Sequence, residues 1–183
     1  MTRREEQWLV NQAQQDPRQF DALYMAYIDD IYRFIYYKTS HQATAEDLTA
    51  QVFMQALERL QQFHYQPGAR FSSWLYRIAH NLIVDYYRKH KETVDIELAE
   101  SVAAAETTSH IVDEHLQAEQ VQCVLQMMSE DDRTILQLRL WQDKSYTDIA
   151  QIMQSNAVAI RARYSRAVKK FNALYAQHYG STL

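Results

Sequence analysis

Apolar residues recur at spacings of three and four through most of this chain, and the stretches between polar breaks are of helix length. Phe20, Leu23, Tyr24, Tyr27, Ile28, Ile31, Phe34 and Ile35 fit one buried helical face. Asp16-Pro17 in front of them supplies a capping acid and a proline suited to the first helical position. A shorter helix carrying Trp8, Leu9 and Ala13 is expected to precede it. Thr44, with Asp47 three residues on, reads as a capping box for a helix striped by Leu48, Val52, Phe53, Ala56, Leu57 and Leu60. Pro67-Gly68 marks a loop. Beyond it a long helix from about Ser72 to Lys91 turns Leu75, Ile78, Ala79, Leu82, Ile83 and Tyr86 to the core. Three amphipathic helices of this length can close a small bundle.

From residue 92 to about 112 the period is lost, and the stretch is acidic and rich in Ala, Thr and Ser, which reads as a linker. Helical spacing then resumes with Leu116, Val121, Val124, Leu125 and Met128. Ser129 with Asp132 caps a helix bearing Ile135, Leu136 and Leu140, and Ser145 with Asp148 caps a short one bearing Ile149, Ala150 and Met153. A break at 154–156 leads to a last helix striped by Ile160, Tyr164, Ala167 and Phe171. The expected fold is all-α, with two small helical domains at 1–91 and 113–183 joined by an acidic linker at 92–112.

Composition supports this reading. Two Gly and two Pro in 183 residues are too few for the turns of a sheet-rich fold. No apolar run approaches the ~18 residues that span a bilayer, so no membrane insertion is expected. The charged N-terminus lacks an apolar segment behind it, and Cys123 stands alone in an apolar helical pattern; the expected location is the cytoplasm. The net charge of −4 hides a sharp segregation. Residues 70–91 hold five bases and one acid, 92–132 hold eleven acids and no Lys or Arg, and 149–183 hold five bases and no acid. Two cationic surfaces are therefore expected within an acidic chain.

Residues 145–171 carry the strongest local pattern: a short capped helix, a three-residue break and a second helix, the spacing of a helix-turn-helix. With Ile160, Tyr164, Ala167 and Phe171 packed inward, Arg161, Ala162, Ser165, Arg166 and Lys169 face out. Arginines on such a face can pair with guanine edges in a major groove, while Arg163, Lys169 and Lys170 suit phosphates. The bland alternative is a solvated basic face, against which stands the lack of any acid after Asp148. On the long helix, Arg77, His80, Asn81, Val84 and Arg88 lie opposite the core face, and Arg70, Phe71 and Trp74 lead into it. Bases interleaved with aromatics and amides suit single-stranded nucleic acid, although the aromatics could equally be core residues. The scattered histidines and single cysteine build no metal site, and Asp29-Asp30 and Glu46-Asp47 read as helix electrostatics. No enzyme, cofactor or metal is expected.

Three strings in this order, ATAEDLTAQVFMQAL, FSSWLYRIAHNLIVDYYRKHK and SEDDRTILQLRLWQDKSYTDIAQIM…AIRARYSRAVKKF, closely resemble the sigma subunits of bacterial RNA polymerase. The best match is the extracytoplasmic-function (ECF) group, which keeps regions 2 and 4. The resemblance implies a subunit that binds core polymerase, directs it to −10 and −35 promoter elements and promotes melting. It places Asp47, Gln51, Met54, Gln55 and Glu58 against the β′ clamp helices. Arg70, Phe71, Trp74, Arg77, His80, Asn81 and Arg88, with Asp85 in the same pattern, fall at positions that recognise and melt the −10 element. The −35 reading helix maps onto Asn156 to Lys170, with Arg161, Ala162, Arg163, Ser165, Arg166, Lys169 and Lys170 on it. The implied partners are the polymerase, including its β flap, promoter DNA and an anti-sigma factor. Gln154 occupies the turn position where the family usually has Gly. The rival reading is an autonomous helix-turn-helix regulator whose N-terminal bundle senses a ligand or dimerises.

Overall fold

Capping chemistry sets most of the helix boundaries. In the computed structural model, which describes residues 1–65, 70–94 and 112–180, α1 (Arg3–Gln15) starts from a capping box in which Thr2 and Glu5 satisfy each other's backbone N–H groups. Only the backbone is described at helical residues 91–94 and 112–118. Asp16 caps a 3₁₀ turn, Pro17–Gln19, that runs into α2 (Phe20–Thr39). The start of α3 (Gln42–Arg59) differs from the expected one. His41, not Thr44, is the cap: its ring nitrogen accepts from the Thr44 N–H, which places Thr44 inside the first turn. Beyond a further 3₁₀ turn, Leu60–Gln62, α4 (Phe71–Val94) is the longest helix among the described residues.

Glu6 accounts for how α4 is anchored. This carboxylate is buried, accepts the Ser72 N–H at 2.6 Å and the Tyr27 hydroxyl at 3.1 Å, and so caps α4 from a distant part of the chain. Burial of the ring, with the Glu6 charge beside it, raises the Tyr27 pKa far above the ordinary phenol value. Gln14 donates to the carbonyls of Leu60 and Phe63, tying α1 to the end of α3. The short first helix expected from the sequence is thus part of the bundle, with α1 closing it through Val10 and Ala13. Leu57, expected in a buried stripe, is exposed, as is Trp8 on α1.

The C-terminal unit consists of α5 (Val112–Gln126), α6 (Glu130–Leu140), α7 (Tyr146–Ile152) and α8 (Ala157–Tyr179). Ser129 accepts the Asp132 N–H, and Ser145 with Asp148 forms a full capping box, as their spacing predicts. Between α7 and α8 Gln154 takes a left-handed conformation, φ 52°, and Ser155 N–H closes back on the Ala150 carbonyl at 2.8 Å. That is the bonding of a Schellman turn built on a non-glycine residue. Leu140, expected in the core stripe, lies outward at 56% exposure. Helices α4 and α5 run into both ends of the expected linker, and its residues 95–111, like Pro67-Gly68, lie outside the described residues.

The two units are not separate in space. One buried apolar cluster runs from Ile31, Phe34 and Tyr76 of the first unit to Ile135, Leu138, Ile149 and Ile152 of the second. A second, smaller cluster of Leu125, Met128, Leu136 and Ala167 belongs to the C-terminal unit alone. The two helical units expected from the sequence therefore share part of their core. Helix α7 packs on α4 as well as on α8, and its apolar residues Ile149, Ala150 and Ile152 are buried in the cluster shared with the first unit.

Candidate nucleic-acid and polymerase interface

Three surfaces carry the residues singled out from the sequence. On α3 the buried stripe of Ala45, Leu48, Val52, Phe53 and Ala56 leaves Asp47, Gln51, Met54 and Glu58 exposed and Gln55 half-buried. Met54 is 62% exposed, a large apolar side chain among acids and amides with nothing packed over it. This is a contact surface of mixed chemistry.

At the head of α4 the aromatic residues sort into two roles. Phe71 is fully buried, with its ring packed on Phe63, Trp74 and Tyr27. It therefore supports the site from beneath and is removed from the set that can touch a strand. Trp74 is half-buried and forms, with Arg70 and Arg77, the wall of a cavity of about 460 Å³. Arg59, Gln62, His64 and Ser73 complete it, together with Gln151 from α7. Arg59 and Gln62 lie at the end of α3, and only the fold brings them beside α4. Nothing in their local sequence distinguishes them from a solvated helix end. Three arginines around an indole make an opening that is cationic at the rim and apolar at the wall.

Further along α4, Asn81, Val84 and Arg88 stay exposed, Arg88 paired with Asp85 at 3.0 Å. His80 is different. It is largely buried, its Nδ1 has no hydrogen-bond partner, and burial followed by the charge of Lys38 lowers its pKa. His80 thus faces the seam between the units instead of an open strand-binding surface.

That seam is polar at its edges. Lys38 of α2 is 3% exposed and pairs with Glu130, while its Nζ also donates to Thr134 Oγ1 at 2.6 Å. Burial lowers the Lys38 pKa; burial also works to raise that of Glu130, but Lys38 and Arg133 outweigh it and hold the carboxyl below its usual range. Tyr76 donates to Gln142 Oε1 at 2.6 Å beneath the Lys144 ammonium, and Ser73 donates to Asp148 Oδ1 at 3.1 Å. Ser73, Tyr76 and His80 share one side of α4, so the C-terminal unit covers a side adjacent to the one bearing Trp74, Arg77, Asn81 and Arg88, and of the residues expected to meet DNA it takes in His80.

On α8 the outward residues are Val158, Arg161, Ala162, Ser165, Arg166, Lys169 and Lys170, all exposed. Asn156 is the cap, its side chain accepting the Ala159 N–H at 2.8 Å. Arg161 lies over the Tyr146 ring at 5.3 Å. Arg163 departs from expectation: it is bound to Asp132 at 2.8 Å and Asp131 at 2.7 Å, at the start of α6. These bonds raise its pKa and lower that of Asp132 against the penalty of burial. Arg163 fixes the angle between α6 and α8 and is not a free phosphate ligand.

A family model for Sigma-70 region 2 matches residues 23–93, and one for Sigma-70, region 4, matches residues 118–171. The chain belongs to the sigma-70 family of RNA polymerase sigma factors, in the ECF group. It is 30% identical over 162 residues to the ECF sigma factor SigM of Bacillus subtilis, covering 85% of this chain and 94% of SigM. It is 33% identical over 153 residues to the ECF sigma factor BldN of Streptomyces coelicolor, where it spans 82% of this chain but 58% of BldN. Among solved structures the factor is similar to CnrH in complex with the cytosolic domain of CnrY, with TM-score 0.72 at 20% identity, covering 94% and 98% of the two chains. It is also similar to the sigma factor RpoE of Bartonella quintana in complex with the anti-sigma factor NepR, with TM-score 0.70 at 26% identity, covering 86% and 96%. As a sigma factor the chain directs core RNA polymerase to promoters, and sigma factors are not enzymes. Among the described residues of this factor no cluster of His, Cys, Asp and Glu could hold a metal, and no helix is long and apolar enough to cross a membrane.

Proposed function

We propose a division of labour among the three surfaces. The exposed face of α3, Asp47, Gln51, Met54, Gln55 and Glu58, docks on the β′ clamp helices of core polymerase. The cavity at the head of α4 receives a base of the −10 element drawn out of the stack. Extruding a base costs a few kcal/mol, which Trp74 can offset by stacking while Arg59, Arg70 and Arg77 hold the flanking phosphates. Asn81 and Arg88 continue the track along the opened strand. The outward face of α8, with Arg161, Ser165, Arg166, Lys169 and Lys170, enters the major groove of the duplex −35 element. The observation that carries the reading is the cavity: indole wall, arginine rim and enough volume for a nucleobase, on a helix anchored by a buried carboxylate.

The packing of α7 on α4 adds a condition. Gln151 lines the cavity and Asp148 holds Ser73, so the C-terminal unit must move before the full α4 face meets a strand. The closed arrangement is the state that an anti-sigma factor would hold and polymerase would open. The apolar groove of Val121, Leu136, Leu140, Trp141 and Val168 is a surface suited to the β flap. The factor acts in the cytoplasm and needs no cofactor.

Sequencing the 5′ ends of transcripts made by core polymerase with this protein tests the reading. New start sites sharing paired motifs at −10 and −35 are expected. Binding to duplex DNA without polymerase, and no new start site when core is added, would favour the autonomous regulator instead.

A further inference from the structure

Val158 has no structural explanation within the fold. It is the second residue of α8 and is 80% exposed, and it belongs to neither buried cluster. A β-branched side chain is a mediocre helix former, and an exposed one gains nothing from burial, so a polar or small residue would serve the folded chain better. Its position on the helix supplies the explanation. Val158, Ala162, Ser165 and Lys169 are spaced by four, three and four, and so lie in one row, opposite the inward row of Ile160, Tyr164, Ala167 and Phe171. All four are exposed. Arg161 and Arg166 flank the row, and no acid lies on α8, so the face is complementary in charge to a nucleic-acid backbone. At its N-terminal end, where a recognition helix meets base edges, stand Val158 and Ala162, apolar groups that cannot exchange hydrogen bonds.

We infer that Val158 reads the C5 methyl group of a thymine in the upstream promoter element. The thymine methyl is the apolar feature that the major groove presents, and apolar side chains recognise it by contact. The inference rests on the proposal that α8 reads duplex DNA, and it adds which base is selected and by which side chain. One buried methyl group corresponds to a preference of about fourfold.

The test uses full-length protein with core polymerase and a promoter library randomised across the −10 and −35 windows. The wild-type protein enriches thymine at one −35 position by about fourfold. The enriched promoter is then resynthesised with deoxyuridine at that thymine alone, which removes the methyl and leaves pairing intact. Transcription falls by the same factor with wild type and is unchanged with Val158→Ala. Val158→Ala also loses thymine enrichment at that position while keeping the preferences at the others, and its melting temperature is no lower than wild type. Persistent thymine enrichment in Val158→Ala, or indifference of wild type to deoxyuridine, overturns the inference while leaving the α8 reading intact. Absence of any −35 preference with wild type removes both.

Discussion

Two arginines one turn apart on α8 have opposite duties. Arg163 bridges Asp131 and Asp132, whereas Arg166 is exposed and reaches no acid within salt-bridge distance among the described residues. Arg163→Ala is therefore expected to destabilise the fold by about 1 kcal/mol, since the pair is part-exposed. Arg166→Ala leaves the melting temperature unchanged and weakens −35-dependent transcription, by roughly 1–3 kcal/mol if it makes a bidentate base contact. Thermal unfolding of both variants beside transcription from one promoter separates the two. Equal losses of stability would show that Arg166 is also structural. The sequence placed Arg166 on the outward face and gave Arg163 to phosphates, but it could not show that Arg163 is held by acids within the fold. The deciding acids lie 31 and 32 residues away. Phe71 is the converse case: its family position suggested a strand contact, and only packing against Phe63 and Tyr27 reveals a supporting role.

Helices and their ends were the most legible features, because caps act within four residues. Ser129, Ser145 and Asp16 act where their spacing places them. Thr44 misled because the histidine before it competes for the same N–H, and Thr44-x-x-Asp47 has the same letters as a true cap. Glu6 was invisible, since it caps a helix 66 residues away. The turn between α7 and α8 yields a second prediction. Gln154 holds φ 52°, a conformation that costs a non-glycine residue about 1 kcal/mol. Gln154→Gly should stabilise the chain by somewhat less than that, because glycine also adds freedom to the unfolded state. A rise of roughly 2–4 °C in melting temperature is its upper measure. A fall would mean that the Gln154 side chain contributes more than its backbone strain costs.

At the scale of the molecule, the seam between the units is where sequence reasoning stopped, because α4 and α7 each look complete in isolation. Lys38 is the test of that seam. Glu130→Ala leaves a buried ammonium without its carboxylate, a loss of about 3–5 kcal/mol if the seam stays shut. The cheaper response is for the units to part and hydrate Lys38, so small-angle scattering should report a larger radius. Lys38→Met with Glu130→Leu should keep the compact radius, since a matched apolar pair removes the desolvation penalty. An unchanged radius together with an unchanged melting temperature in Glu130→Ala would contradict the closed seam. Acid should act in the same direction. His80 is faced by Lys38 from α2 and by Glu130 and Asp131 from α6, and its pKa in the folded chain lies below the ordinary 6.5. The unfolded or opened chain then binds the extra proton, so stability is full above 6.5 and is lost as pH falls through and below it. Glu130, whose pKa is also depressed, adds a loss in the same sense nearer its ordinary 4.5. His80→Gln should remove the first of these two losses and leave the second.

The claim that the cavity at the head of α4 holds a base extracted from the promoter is tested most directly by permanganate, which oxidises unpaired thymines. With core polymerase and wild-type protein on a promoter located by 5′-end sequencing, thymines around −10 should become reactive. With Trp74→Ala and Arg77→Ala combined, the −35 region should still be protected while the −10 thymines stay paired and unreactive. Full permanganate reactivity in that double variant would contradict the account.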